Sequence, residues 1–269
     1  MVFIIIIFVL MKNLKLYYII TLIFVLASIS CQEPGCTDPN ALNFNNEANK
    51  DDNSCLYNNN FNINFKLTNE GNTVNKFDTI FGKNYKFQLL NLKFYMCDIN
   101  LNSEFNNVYL KDIHLFKIDD ENTHTISFEV EEGNYTSLKF GLGVNSEQNN
   151  TTPAQYDLDH PLGLSHNTFW AMEPSSYIFL MLEGKVDTLE QNNFFNLSYH
   201  LAHNNLLKQV ELNYQFDLEG QTSYQASIEI DISSFFNNVD FSEDLPHQRN
   251  TSPLAELIMN NFVSSFEIQ

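Results

Sequence analysis

Positive charge is scarce in this chain. Its 269 residues hold 14 Lys and Arg against 33 Asp and Glu, a net charge of −19. Such a chain repels polyphosphate backbones and anionic headgroups, which excludes nucleic acid as a partner. Catalytic signatures are missing as well: there is no Gly-rich phosphate loop, no HExxH and no GxSxG. Tryptophan occurs once, at Trp170, against 24 Phe and 12 Tyr, a balance that favours strands over helices. No internal repeat is evident. What the chain does have is a hydrophobic fraction of 43% and an aromatic fraction of 14%. That is enough for the core of one large domain, with or without a small appendage.

The first thirty residues are of a different kind. An apolar run, IIIIFVL, precedes MKNLKLYYIITLIFVLASIS. The second piece has the parts of a signal peptide: Met11, basic Lys12 and Lys15, an apolar stretch, then small residues. It places the true start at Met11 and assigns residues 1–30 to export. The combined apolar length also suits a transmembrane anchor, but Ala27, Ser28 and Ser30 before Cys31 favour cleavage. Removing Lys12 and Lys15 with no acid takes the charge from −19 to −21. Ala-Ser-Ile-Ser-Cys resembles a bacterial lipobox. The resemblance makes Cys31 the acylated N-terminus of an outer-membrane lipoprotein, facing the periplasm or the outside. Two or three acyl chains, at about 0.8 kcal/mol per CH₂, anchor a protein stably. The alternative is plain secretion, with Cys31 paired elsewhere.

Residues 31–59 then form the anchor site and a small module, GCTDPNALNFNNEANKDDNSCLY. It lacks hydrophobic periodicity and cannot bury much, so it needs a staple. Export makes a Cys36–Cys55 disulfide the natural one. The stretch resembles a short module common in secreted Bacteroidetes proteins, with Phe44 for the usual Tyr and Asn53 for the usual Gly. Asp38, Asp51 and Asp52 offer oxygen ligands for calcium. Their spacing is not that of an EF-hand loop and reads better as a solvated acidic turn.

From residue 60 to 269 the pattern is β. FNINFKL, YKFQLLNLKFYMCDI, NVYLKDIHLFKI, HTISFEV, SLKFGLGV, SYIFLMLEGKV, FFNLSYHLA, KQVELNYQFDL and YQASIEIDI all read as strands. NEGN, DDEN, EEGN, LEGQ and an Asn-rich loop separate them. Many short strands at regular spacing predict a mainly β domain, an antiparallel sandwich or barrel. Only the tail, SPLAELIMNNFVSSFEI, has helical spacing, with Ser252 as cap, Pro253 in the first turn and Leu254, Leu257, Ile258 and Phe262 on one face. Cys97 falls inside a strand and reads as a buried thiol.

The histidines are the remaining candidates for chemistry. His200 and His203 lie at the end of a strand, three apart, so they share an ion only if the strand stops between them. His247 lies in an irregular stretch before the tail helix. His160 and His166 lie in the loop before Trp170. A copper or zinc site needs two or three imidazoles converging from separate segments. Each histidine alone, His114 and His124 included, is more often a packing or surface residue. Trp170 reads by default as a core aromatic. Met172 and Met181 are soft donors for Cu(I), or core filler.

The order of pieces resembles the MbnP family, copper-associated β proteins of methanotrophs with lipoprotein relatives in Bacteroidetes. The likeness runs over about residues 60–269. It is carried by W-x6-Y-x-F-x3-E-G at Trp170, Tyr177, Phe179, Glu183 and Gly184, and by FGLGV from Phe140 to Val144. His200 falls where the family shows a strand-end HLG, here HLA. His247 falls near a late MH, with Pro246 in place of the Met. Glu173-Pro174 stands in the family's aromatic-Gly turn. The resemblance implies copper held by histidines and a tryptophan oxidised to kynurenine by a di-haem peroxidase-like partner. It therefore points to His200, His247 and Trp170 as ligands and, less directly, to His160 and His166. A carboxylate such as Asp159 or Glu183 would orient an imidazole, although beside Gly184 the latter reads first as a structural residue. The expected function is copper capture or storage outside the cytoplasm by a protein that is not an enzyme. The competing expectation is a structural or adhesive surface module with solvated histidines.

Overall fold

The computed structural model describes residues 32–104, 107–188, 194–219, 223–241, 247–248 (backbone only) and 252–269. The export signal and Cys31 lie outside the described residues. The chain divides into two compact units, the first ending at Tyr57 and the second running from Asn58 to Gln269.

The first unit is held by its staple and its turns. Strands β1 (Pro34–Gly35) and β2 (Lys50–Asp51) pair in parallel, and Cys36 bonds Cys55 with Cα atoms 4.7 Å apart. Its acids shape the backbone. Asp38 accepts the Asn40 N–H at 2.9 Å and the Tyr57 hydroxyl at 2.7 Å, while Asp51 and Asp52 accept the N–H groups of Asn53 and Ser54. These are the turn roles that short acidic side chains fill. The Asn40 N–H and then Tyr57 hold the Asp38 carboxyl below its ordinary range.

The second unit opens with β3 (Asn58–Asn69), β4 (Asn72–Thr73) and β5 (Thr79–Phe81). The long β6 (Lys86–Ser103) is followed by β7 (Asn107–Lys117), β8 (Thr125–Glu131), β9 (Gly133–Leu142) and the short helix α1 (Ser146–Asn149). Then come β10 (Phe169–Trp170), β11 (Ser176–Asp187), β12 (Phe195–Ala202), β13 (Lys208–Leu218) and β14 (Ser223–Asp231). The chain closes with β15 (His247–Gln248), helix α2 (Pro253–Val263) and β16 (Phe266–Ile268). Each of the nine predicted strands is present.

The strands form two open sheets, so the domain is a sandwich rather than a barrel. One runs β13-β9-β6-β11-β12-β15, with β5 and β7 on β6 and β10 on β11; the other runs β16-β14-β3-β4, with β8 on β3. β6 serves both halves of the larger sheet. Its residues 86–94 pair with β11 and its residues 96–103 with β9. A register shift between Cys97 and Asn100, with Asp98 at φ 50°, turns the strand between the two. Two pairings, β3 with β14 and β12 with β15, are parallel in an otherwise antiparallel sandwich.

Alternation explains the core. On β3, Phe61, Ile63, Phe65 and Leu67 are buried, and the Asn and Lys residues between them face outward. Rings link the two sheets: Phe61 meets Phe216 at 5.2 Å between centroids, and Phe140 meets Phe266 at 5.5 Å. Cys97 is fully buried, and burial pushes its thiol up to about 12. The tail departs from the sequence expectation. Helix α2 starts as expected, with Ser252 accepting the Ala255 N–H at 3.0 Å and Pro253 in the first turn. It stops at Val263, where the Ser265 hydroxyl bonds the Phe262 carbonyl at 2.7 Å, and Phe266–Ile268 extend along β14. The buried stripe is Leu254, Ala255, Ile258, Met259 and Phe262, with Leu257 at its margin.

Candidate metal site

Two rungs of the larger sheet carry the polar side chains of interest. In the first, Lys93 on β6 pairs with Met181 on β11, which pairs with His200 on β12. In the second, Asn91 pairs with Glu183, Glu183 with Ser198, and Ser198 with the backbone of His247 on β15. Directly opposite residues project from the same face of a sheet, and residues two apart on a strand do too. Asn91, Met181, Glu183, Ser198 and His200 therefore lie together.

Hydrogen bonds join them. His200 Nε2 lies 2.8 Å from Glu183 Oε1 and 3.3 Å from the Ser198 hydroxyl. The Asn91 amide donates to Glu183 Oε2 at 2.9 Å and reaches the Met181 sulfur at 3.3 Å. His200 and Glu183 are partly open to solvent, at 23% and 36% side-chain exposure, whereas Met181 is buried. Burial alone would raise the Glu183 carboxyl. The bonds from Asn91 and His200, with the charge of Lys93, outweigh it and hold the carboxyl below its usual range. Gly184 is needed next door. A Cβ there would run into the Phe87 ring and the Gln88 carbonyl, at the register shift between Glu183 and Gly184.

The loop before β10 closes over one end of this face. The Tyr95 hydroxyl donates to the Pro161 carbonyl at 2.9 Å, and the Tyr177 hydroxyl to that of Leu162 at 3.2 Å. The Lys93 ammonium donates to the His166 carbonyl at 2.9 Å, which brings His166 against the rung of Met181 and His200. Within the loop, His166 Nε2 bonds the His160 carbonyl at 3.0 Å. Burial, ahead of Lys117, pushes the His166 imidazole down. His160 stacks on Tyr156 at 4.4 Å, and its Nδ1 accepts the Leu162 N–H at 3.1 Å. Both rings thus shape the loop.

Trp170 is half-buried and pairs with Ser176 at the start of β11. Five residues of strand, at about 3.3 Å each, separate that position from Met181 by roughly 16 Å. The register thus sets Ser198, two residues before His200, beside the backbone of His247, brings the loop of His166 against the rung of His200, and leaves Trp170 at the strand end. Strand β12 does stop between His200 and His203; the latter has φ 83° and gives its N–H to Ser176 at 3.0 Å. His114 and His124 bond the Thr123 and Lys117 carbonyls at 2.9 Å each, and the second also stacks on Phe116. Among the described residues, no three His, Cys, Asp or Glu side chains gather as a metal cluster.

Asn91 and Ser198 are the residues that sequence reading did not reach. Alternation marks both as outward-facing, but nothing in a single chain says which strands adjoin. The fold is that of a β-sandwich with its polar side chains set on a strand face beside an overlying loop. A sequence profile described as MbnP matches residues 58–255, and the chain belongs to that family. MbnP from Methylosinus trichosporium shares the fold, with a TM-score of 0.50 and 12% identity over 75% of this chain and 87% of that one. No curated protein matches the chain.

Proposed function

We propose that this is a copper-binding protein of the cell envelope, anchored through an acylated Cys31, which captures or stores the ion outside the cytoplasm without catalysing a reaction. Its ion is held where β12 and β15 run side by side, by His200 and His247. The observation that carries this reading is the pairing of Ser198 with His247, which sets two histidines far apart in sequence on adjacent strands of one sheet, two positions apart in register. The donor set fits copper: imidazole ranks high for it, and the thioether of Met181 across from His200 suits Cu(I). The surrounding acidity, 33 acids against 14 bases, favours cation approach. No helix among the described residues is long and apolar enough to cross a membrane. His160 and His166 act by holding the loop against this face. Trp170 is the residue that a di-haem peroxidase-like partner would oxidise; on its peptide, kynurenine is read as a net gain of one oxygen and the loss of one carbon.

A second reading, a structural or adhesive module, draws on His200 Nε2 being already bonded to Glu183 and on the lack of a three-residue cluster among the described residues. Copper analysis of protein from native membranes, with titration of the wild type and of His200→Ala/His247→Ala, separates the two. Stoichiometric copper that falls at least tenfold in affinity in the variant supports the site. Equal, weak binding by both forms leaves the structural reading.

A further inference from the structure

We infer that Glu183, itself fixed by Asn91, is a positioning residue that sets the tautomer of His200 and thereby selects Nδ1 as the nitrogen that takes the metal. The inference rests on the copper reading and specifies how that site is prepared. A carboxylate accepts hydrogen bonds, so the 2.8 Å contact between Glu183 Oε1 and His200 Nε2 requires the proton on Nε2. The Ser198 oxygen, 3.3 Å from the same nitrogen, can accept from it as well. Among the described residues no group bonds His200 Nδ1, which keeps its lone pair. The carboxylate cannot swing away freely. Its other oxygen receives the Asn91 amide at 2.9 Å, and that amide is also anchored at the Met181 sulfur. Three adjacent strands therefore fix one ring nitrogen as donor and leave the other as ligand. This is the arrangement by which a carboxylate behind a ligand imidazole raises its basicity and fixes its orientation.

The test is nitrogen-15 NMR of the histidine rings in the full domain, without metal and then with Cu(I) alone, which is diamagnetic. The expected result is a metal-free His200 in the Nε2–H form, with the Nδ1 signal moving on Cu(I) addition while Nε2 keeps its proton. In Glu183→Ala the two tautomers should mix, and Cu(I) affinity should fall about 10–100-fold. Asn91→Ala should show a smaller change in the same direction. Loss of the Nε2 proton on Cu(I) addition, or a metal-free Nδ1–H form, would overturn the positioning role while leaving His200 a ligand. If neither nitrogen responds to Cu(I), the copper reading itself fails, even when the metal-free tautomer is as stated. An unchanged tautomer in Glu183→Ala, with a normal thermal transition, would also overturn the inference.

Discussion

At the scale of single residues, two histidines on this scaffold show opposite uses of the same ring. His200 sits half-open on a strand face with a carboxylate behind it. His114 is only 8% exposed, and burial, ahead of the charge of Lys111, pushes its imidazole down to about 4. The sign of its linkage follows directly. The unfolded chain takes a proton near the ordinary value of 6.5 and the folded one near 4, so protons favour the unfolded state between them. Stability is expected to decline as pH falls from 6.5 to 4 and the loss to level off below, at about 3 kcal/mol from this group. Urea midpoints across that range check it. In His114→Gln, whose amide can still reach the Thr123 carbonyl, the slope with pH should be shallower.

Some of this was legible beforehand. Alternation in FNINFKL and its neighbours gives the strands because side chains in a sheet repeat every two residues. It does not give the partners of each strand. That is why Glu183, readable only as a carboxylate beside a glycine, becomes a bonded neighbour of His200 once β11 and β12 are aligned. Trp170 shows the converse limit. Its place in the W-x6-Y-x-F-x3-E-G pattern says that it belongs with Glu183 in the chain, yet strand geometry sets the two a strand-length apart.

At the scale of elements, the tail teaches the most. Its apolar spacing continues past the helix, so SSFEI reads as a further turn of α2. Two serine hydroxyls end the helix instead, bonding the Asn260 and Phe262 carbonyls, and β14 takes up the freed segment. The start of α2 is set by Ser252, whose oxygen accepts the Ala255 N–H. Ser252→Ala should destabilise the domain by about 1 kcal/mol, read as a lower urea midpoint with unchanged slope. Phe262 packs against Phe94, Phe235 and Phe266, so the loss should spread to the core rather than remain a frayed end.

At the scale of the whole molecule, the two units owe their order to different forces. The β unit has a continuous apolar core. The small unit has a disulfide between residues 19 apart and a set of side-chain-capped turns. A closed loop of that size removes about 3 kcal/mol of chain entropy from the unfolded state in the loop-closure description. Reduction with a thiol should therefore expose residues 36–55 to proteases at concentrations that leave the oxidised form intact, and mass spectrometry of the fragments locates the cuts.

The parallel alliance of β3 with β14 has a temporal side. Lys66 meets Glu229, 163 positions further along the chain. The opening strand of the sandwich must thus wait, unaccompanied on that edge, until nearly the entire polypeptide has emerged. Contacts of such long range slow folding. A chain with this wiring can complete its smaller sheet only at the far end of the journey.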